Sequence, residues 1–436
     1  MDIERYRGVI PAFYACYDEA GQVSVERTRR LARHLVNKGV KGLYVGGSSG
    51  ECIYLEKEER MAILEAVMAE VKGECTIIAH VACNNTHESC QLAAHAEGLG
   101  VDAIASIPPI YFHLPDHAIA AYWNAISAAA PHTDFIIYNI PQLAGVALSV
   151  PLLREMRKNP RVIGVKNSSM PTQDIQIFKA EGGENFVVFN GPDEQFVAGR
   201  AIGADGGIGG TYAVMPELFL AMDRLIREGR LEEARKIQYA ANDIIAQLCA
   251  CHGNLYAVMK KVLEKREGLL LGSVRAPLSP ISEADLPQIE KCAAMIDDAV
   301  RAIGANAAQG KEYAKAATRV FPSGRLCLPA CQDRFVPARR PCSIYRHAAK
   351  RPQATRFCPH PASDCRCLLS ASPGRMAPLT GLCKSRPARR QAPPPSFPPV
   401  RTVSAASPAS NKRRLYGWDW CKNTAIRAGR HPAIHG

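Results

Sequence analysis

Residues 135–166 read FIIYNIPQLAGVALSVPLLREMRKNPRVIGVK. Two short apolar, β-branched runs, Phe135–Asn139 and Val162–Lys166, flank Val150–Lys158, which reads as helix. A strand that is apolar on both faces belongs inside a parallel sheet covered by helices. The same alternation continues outward in both directions. Strands are expected at Val9–Ala15, Gly42–Val45, Thr76–Val81 and Ala103–Ile107 before this unit, and at Phe186–Asn190 and Gly206–Ile208 after it. Helices are expected between them, at Val25–Asn37, Lys57–Val71, His87–Leu99, Asp116–Ala129, Thr172–Ala180, Asp193–Ile202 and Pro216–Arg227. Eight strand–helix units predict a closed (β/α)₈ TIM barrel over residues 1–228. An open doubly wound sheet is the runner-up, but no G-x-G-x-x-G follows the first strand. Three further helical patterns, Leu231–Cys251, Leu255–Arg266 and Glu283–Ile303, predict a small helical addition over 229–306.

Charge divides the chain sharply. Residues 319–436 hold 22 Lys+Arg, three Asp and no Glu, so they carry +19, while residues 1–318 carry −6. An acidic body suits an enzyme and gives no reason to invoke nucleic acid or a membrane. The last part of the chain, 307–436, has 17 of the 31 prolines beyond residue 318 and shows no period of 2 or 3.6. Three readings compete for it: a disordered basic tail that binds nucleic acid, a metal module, or a segment translated out of frame. The metal reading rests on Cys358, His360, Cys365 and Cys367, whose spacing fits no zinc pattern. The eight cysteines of the body form no C-x-x-C pair, which suits a reducing compartment. The start, MDIERYRG, lacks the basic-then-apolar pattern of a secretory signal, and no apolar run is long enough to span a bilayer. The expected location is the cytoplasm.

Chemistry concentrates where the strands end. Lys166 closes the strand V-I-G-V-K, which places it at the C-terminal mouth of a barrel. Burial disfavours a charged ammonium, and a neutral amine can attack a ketone to form an imine. The competing reading is a strand-end lysine that extends to solvent. Tyr138 closes the preceding strand and would share that mouth, as a proton shuttle or as an aromatic cap on the core. The segment G-G-S-S-G-E, residues 46–51, follows the second strand. It offers hydroxyls and backbone N–H groups to an anion, or is simply a turn. After the seventh strand, N-G-P-D-E brings Asp193 and Glu194 either to sugar hydroxyls or to a helix N-terminus.

Taken together, G-G-S-S-G-E (46–51), Y-N-I-P (138–141), G-V-K-N-S-S (164–169) and G-A-D-G-G-I-G-G-T-Y (203–212) resemble the dihydrodipicolinate synthase / N-acetylneuraminate lyase family of class I aldolases. The resemblance runs from about Gly8 to about Ile303. It implies that Lys166 is the Schiff-base lysine, Tyr138 the proton shuttle and Tyr111 a second relay tyrosine. It also implies that Ser48 and Ser49 hold the pyruvyl carboxylate, and that Ser168, Gly191, Asp193, Glu194 and Gly210 face the sugar. Leu143 stands where the synthases of the family place an arginine, which favours the sialate-cleaving branch. Gly210 stands where many lyases carry Ser, which leaves the sugar acid open. The implied substrates are small molecules: sialic acid, pyruvate and N-acetylmannosamine. The implied assembly is a homotetramer. No metal or organic cofactor is called for, because an imine supplies its own electrophile. Another 2-keto-acid aldolase, a dihydrodipicolinate synthase, and a silent homologue with a nucleic-acid-binding tail are the alternatives.

Overall fold

The computed structural model describes residues 3–320. Eight strands alternate with helices: β1 (Val9–Pro11), α1 (Val25–Asn37), β2 (Gly42–Val45), α2 (Lys57–Val71), β3 (Thr76–His80), α3 (Thr86–Leu99), β4 (Ala103–Ser106), α4 (Asp116–Ala129) and β5 (Asp134–Asn139). There follow α5 (Pro141–Ala144), α6 (Val150–Met156), β6 (Val162–Asn167), α7 (Gln173–Gly182), β7 (Val187–Asn190), α8 (Phe196–Ala201), β8 (Gly206–Gly209) and α9 (Pro216–Arg227). All pairings between strands are parallel, in the order β1-β8-β7-β6-β5-β4-β3-β2. The Lys41 N–H donates to the Val9 carbonyl and the Phe13 N–H to the Tyr44 carbonyl, each at 2.9 Å, which joins β1 to β2. The sheet is therefore a TIM barrel.

Two apolar layers explain why the strands read as continuous runs. Ile10, Ile78, Ala105, Ile136, Ile163, Phe189 and Ile208 fill the barrel interior. Alternate residues, among them Leu43, Ile77, Ile104, Phe135, Ile137 and Val188, face outward onto Leu31, Val67, Ile126 and Phe219 of the helices. Burying each large side chain contributes roughly 1.5–3 kcal/mol, so both faces of every strand hold the barrel. Helix starts are fixed locally. Ser24 accepts from the Arg27 N–H, Asn85 from the His87 N–H, and Glu56 and Glu59 form a reciprocal capping box.

Three more helices follow, α10 (Leu231–Cys249), α11 (Leu255–Glu267) and α12 (Leu286–Val320); α10 packs onto α8 and α9, α12 onto α9, and α11 onto α10 and α12. Their buried residues Ile244, Leu248, Val258, Val262, Ile289 and Ile296 belong to the same apolar cluster as the outer barrel layer. The addition thus shares a core with the barrel. Helix α12 continues 17 residues past Ile303, through a stretch with six Ala, the residue that most favours helix. The rest of the basic tail, with Cys358, His360, Cys365 and Cys367, lies outside the described residues. Among the described residues, no helix is long and apolar enough to cross a membrane.

Candidate active site

Strand register sets the first pair. Tyr138 on β5 lies directly opposite Lys166 on β6. Lys166 is 4% exposed. Its Nζ lies 3.9 Å from the centre of the Tyr138 ring and 4.2 Å from that of Tyr44. The two rings meet edge to face at 5.8 Å, so the amine sits in an aromatic corner. His80 closes the corner, 5.9 Å from Tyr138 and 6.1 Å from Tyr44. Burial, reinforced by the Arg60 guanidinium, pushes the His80 pKa well below 6.5, so the imidazole is neutral at pH 7. Its Nδ1 lies 2.9 Å from the Gly46 carbonyl, which accepts; the proton of the neutral ring is therefore assigned to Nδ1.

Gly46 opens the loop after β2 at φ +74°, a left-handed turn that favours glycine. Ser48–Gly50 then makes a single 3₁₀ turn, and both Gly50 and Cys52 donate N–H to the Gly47 carbonyl. Ser49 is buried and lines the cavity together with Tyr256 of α11. Across the mouth, a Cβ on Gly210 would lie 3.2 Å from Ser49 Oγ and 4.0 Å from Asp193 Oδ2. Residues 49, 193 and 210 therefore converge on one wall. The Gly210 carbonyl is held by the Tyr14 hydroxyl at 2.6 Å.

The segment after β7 completes this wall. Gly191 donates its N–H to the Asn167 carbonyl at 2.7 Å, and a Cβ there would lie 2.0 Å from Ser168 Oγ. Only glycine permits that approach. Asp193 is buried, and its Oδ2 accepts from the Thr211 N–H and Thr211 Oγ1, both at 2.7 Å. Its Oδ1 has no hydrogen-bond partner among the described residues. Burial raises the Asp193 pKa to about 6, with Thr211 pulling the other way. Burial also raises Glu194, to about 7, helped by the neighbouring Asp193 charge. Helix α10 supports both: Gln238 donates to the Asp193 carbonyl at 3.1 Å and Asn242 to the Glu194 carbonyl at 3.2 Å.

One cavity gathers Lys166, Tyr138, Ser48, Ser49, Ser168, Gly191, Asp193, Glu194 and Gly210. It holds about 820 Å³ of space, its open mouth included. Gln142 and Leu143 of α5 line it as well. Tyr111 is placed elsewhere. It is 85% exposed, adopts φ +84° and stacks edge to face on Phe112 at 4.9 Å. Sequence reading did not assign roles to Tyr44, His80, Thr211 or Tyr256. Tyr44 is the last residue but one of β2 and His80 ends β3, so the signal was available: polar residues near the ends of otherwise apolar strands. Tyr256 carries no local signal, because it comes from the helical addition.

An eight-stranded barrel that sets a buried lysine against a tyrosine at its C-terminal mouth, with a serine loop beside them, has the form of a barrel aldolase. The dihydrodipicolinate synthetase family matches residues 5–296. The N-acetylneuraminate lyase of Mediterraneibacter gnavus is 63% identical over 298 residues, 68% of this chain and 95% of the relative. That of Citrobacter koseri is 34% identical over 288 residues, 66% and 96% of the respective chains. The wild-type sialic acid aldolase of Ruminococcus gnavus superposes with a TM-score of 0.68 at 62% identity, covering 69% of this chain and 99% of that one. The chain belongs to the dihydrodipicolinate synthetase family.

Proposed function

We propose that this chain is a carbon–carbon lyase that cleaves N-acetylneuraminate reversibly to pyruvate and N-acetylmannosamine, through an imine on Lys166. The observation that carries the reading is the Lys166–Tyr138 pair in one buried corner of the mouth. Relatives at 63% and 34% identity are N-acetylneuraminate lyases. The Ruminococcus gnavus sialic acid aldolase, 62% identical, has also been solved as a catalytic lysine mutant.

The Lys166 amine adds to the C2 ketone of the open-chain sugar and loses water to form a protonated imine. Tyr138 takes the C4 hydroxyl proton as the C3–C4 bond breaks. The bonding electrons pass into the imine and give an enamine, and N-acetylmannosamine leaves as the aldehyde. Protonation at C3 and hydrolysis release pyruvate and restore the amine. Ser48 and Ser49 hold the carboxylate, and Ser168, Asp193 and Glu194 meet the polyol. Leu143 offers no charge for a second carboxylate, which supports a sugar acid over a dicarboxylic product. Tyr111 lies outside the cavity of this chain. A homotetramer in the cytoplasm completes the proposal; sedimentation and cell fractionation test those two parts.

The test is pyruvate release from N-acetylneuraminate by the full chain, with Lys166→Ala beside it. Release by the wild type that disappears in the variant is the expected result. Equal release by both would overturn the mechanism, and no release by the wild type would overturn the substrate. Gly210 favours a second reading, because it presents no side chain to the cavity, which admits other sugar acids. Pyruvate condensation with a panel of aldehydes separates the two.

A further inference from the structure

Glu51 ends the serine loop in an unusual way. It is a non-glycine residue at φ +55°, closing the Ser48–Gly50 turn with its N–H on the Ser48 carbonyl. Its carboxylate is fully buried and bonded at both oxygens. Oε1 accepts from Lys260 Nζ at 2.8 Å. Oε2 accepts from the Tyr17 hydroxyl at 3.1 Å and from the Arg275 N–H at 2.7 Å. Lys260 is itself 1% exposed, and its Nζ also donates to the Ser273 carbonyl at 2.6 Å.

A buried ion pair is a weak source of stability, since neutral residues of the same size often serve a fold as well. Its placement is more informative. Glu51 and Lys260 are 209 residues apart, one on the loop after β2 and the other on α11 of the helical addition. Tyr256 stands four residues before Lys260, on the same face of α11, and lines the cavity together with Ser49. Helix α11 therefore holds the loop through Glu51 and faces the same cavity as Ser49.

We infer that Glu51 and Lys260 are positioning residues, through which the helical addition holds Ser48 and Ser49 in the geometry that receives the pyruvyl carboxylate. The inference rests on the proposed role of that loop in binding pyruvate. Neither side chain lines the cavity, so both act through the loop. Breaking the pair should weaken pyruvate binding and leave the aldehyde half of the reaction alone.

The test uses the full chain with Glu51→Gln, Lys260→Met and the double variant. The double variant leaves no unpaired buried charge, so it keeps the test open where a single variant fails to fold. Borohydride trapping at Lys166 is followed against pyruvate concentration, and both Michaelis constants are measured in the condensing direction. The pyruvate half-saturation is expected to rise about tenfold, the weight of one charge-assisted hydrogen bond. The constant for N-acetylmannosamine should stay within about twofold, the spread of a surface-neutral change. Folded variants with unchanged pyruvate half-saturation, or with both constants rising together, would overturn the inference. A wild-type chain that traps no pyruvate overturns the reading of the site, and the inference with it.

Discussion

Asp193→Asn exchanges function for stability, and the size of the exchange follows from the site. Burial lifts the Asp193 pKa from its ordinary 3.8 to about 6. A raised acid favours the fold when protonated, so its contribution is most favourable at low pH. Stability is lost as pH climbs from 3.8, and the loss is complete above about 6. The full span is worth about 3 kcal/mol, of which about half is already lost at pH 5. Asparagine mimics the protonated acid. Its carbonyl can accept from the Thr211 N–H, and its amide replaces the Oδ1 that has no partner among the described residues. The variant should therefore gain about 1–2 kcal/mol over wild type between pH 5 and pH 8, read from urea midpoints at the two pH values. Lyase activity should fall at the same time, because a group placed for the polyol has lost its charge. A stability difference between the two proteins that is the same at pH 5 and pH 8 would refute the assignment of that titration to Asp193.

Other expectations follow from single contacts. Gly191→Ala would push a Cβ to 2.0 Å from Ser168 Oγ and 2.7 Å from the Asn167 carbonyl. Backbone cannot yield cheaply there, so a loss of about 1–3 kcal/mol in chemical denaturation is expected, with a matching loss of activity. Glu194 titrates near pH 7, so the Michaelis constant for N-acetylneuraminate should rise as pH falls from 8 to 6. Glu194→Gln should flatten that profile, and an unchanged profile would remove Glu194 from sugar binding. Tyr44→Phe deletes a buried hydroxyl that has no partner among the described residues. Its thermal midpoint should hold or rise, by the equivalent of up to about 1 kcal/mol, and a clear drop would mean the hydroxyl is bonded.

Much of this site was legible because strands buried on both faces announce themselves as apolar runs, and a polar residue at such a strand's end has few places to go. Lys166 and Tyr138 were found in that way, and their register pairing follows from adjacency in a barrel. The limits are equally physical. The first run, expected over Val9–Ala15, is a strand only for Val9–Pro11; Ala12 and Phe13 still bond Gly209 and Tyr44, and farther on the Tyr17 N–H bonds the Leu271 carbonyl. The four-residue helix Pro141–Ala144 is too short to show a period. Tyr256 enters the cavity, and Lys260 reaches Glu51, from some two hundred residues farther along the sequence, and no local pattern encodes such a placement. Tyr111 shows the converse. Resemblance gave it a place in the relay, while the structure of this chain holds it outside the cavity.

The central claim is that Lys166 carries the reaction as an imine. The most direct measurement is borohydride reduction of the full chain in the presence of pyruvate, followed by peptide mass mapping. A reduced pyruvyl adduct on Lys166, absent in Lys166→Ala and dependent on pyruvate, is the predicted result. A chain that stays unmodified at Lys166, or that carries the adduct on another lysine, would contradict it.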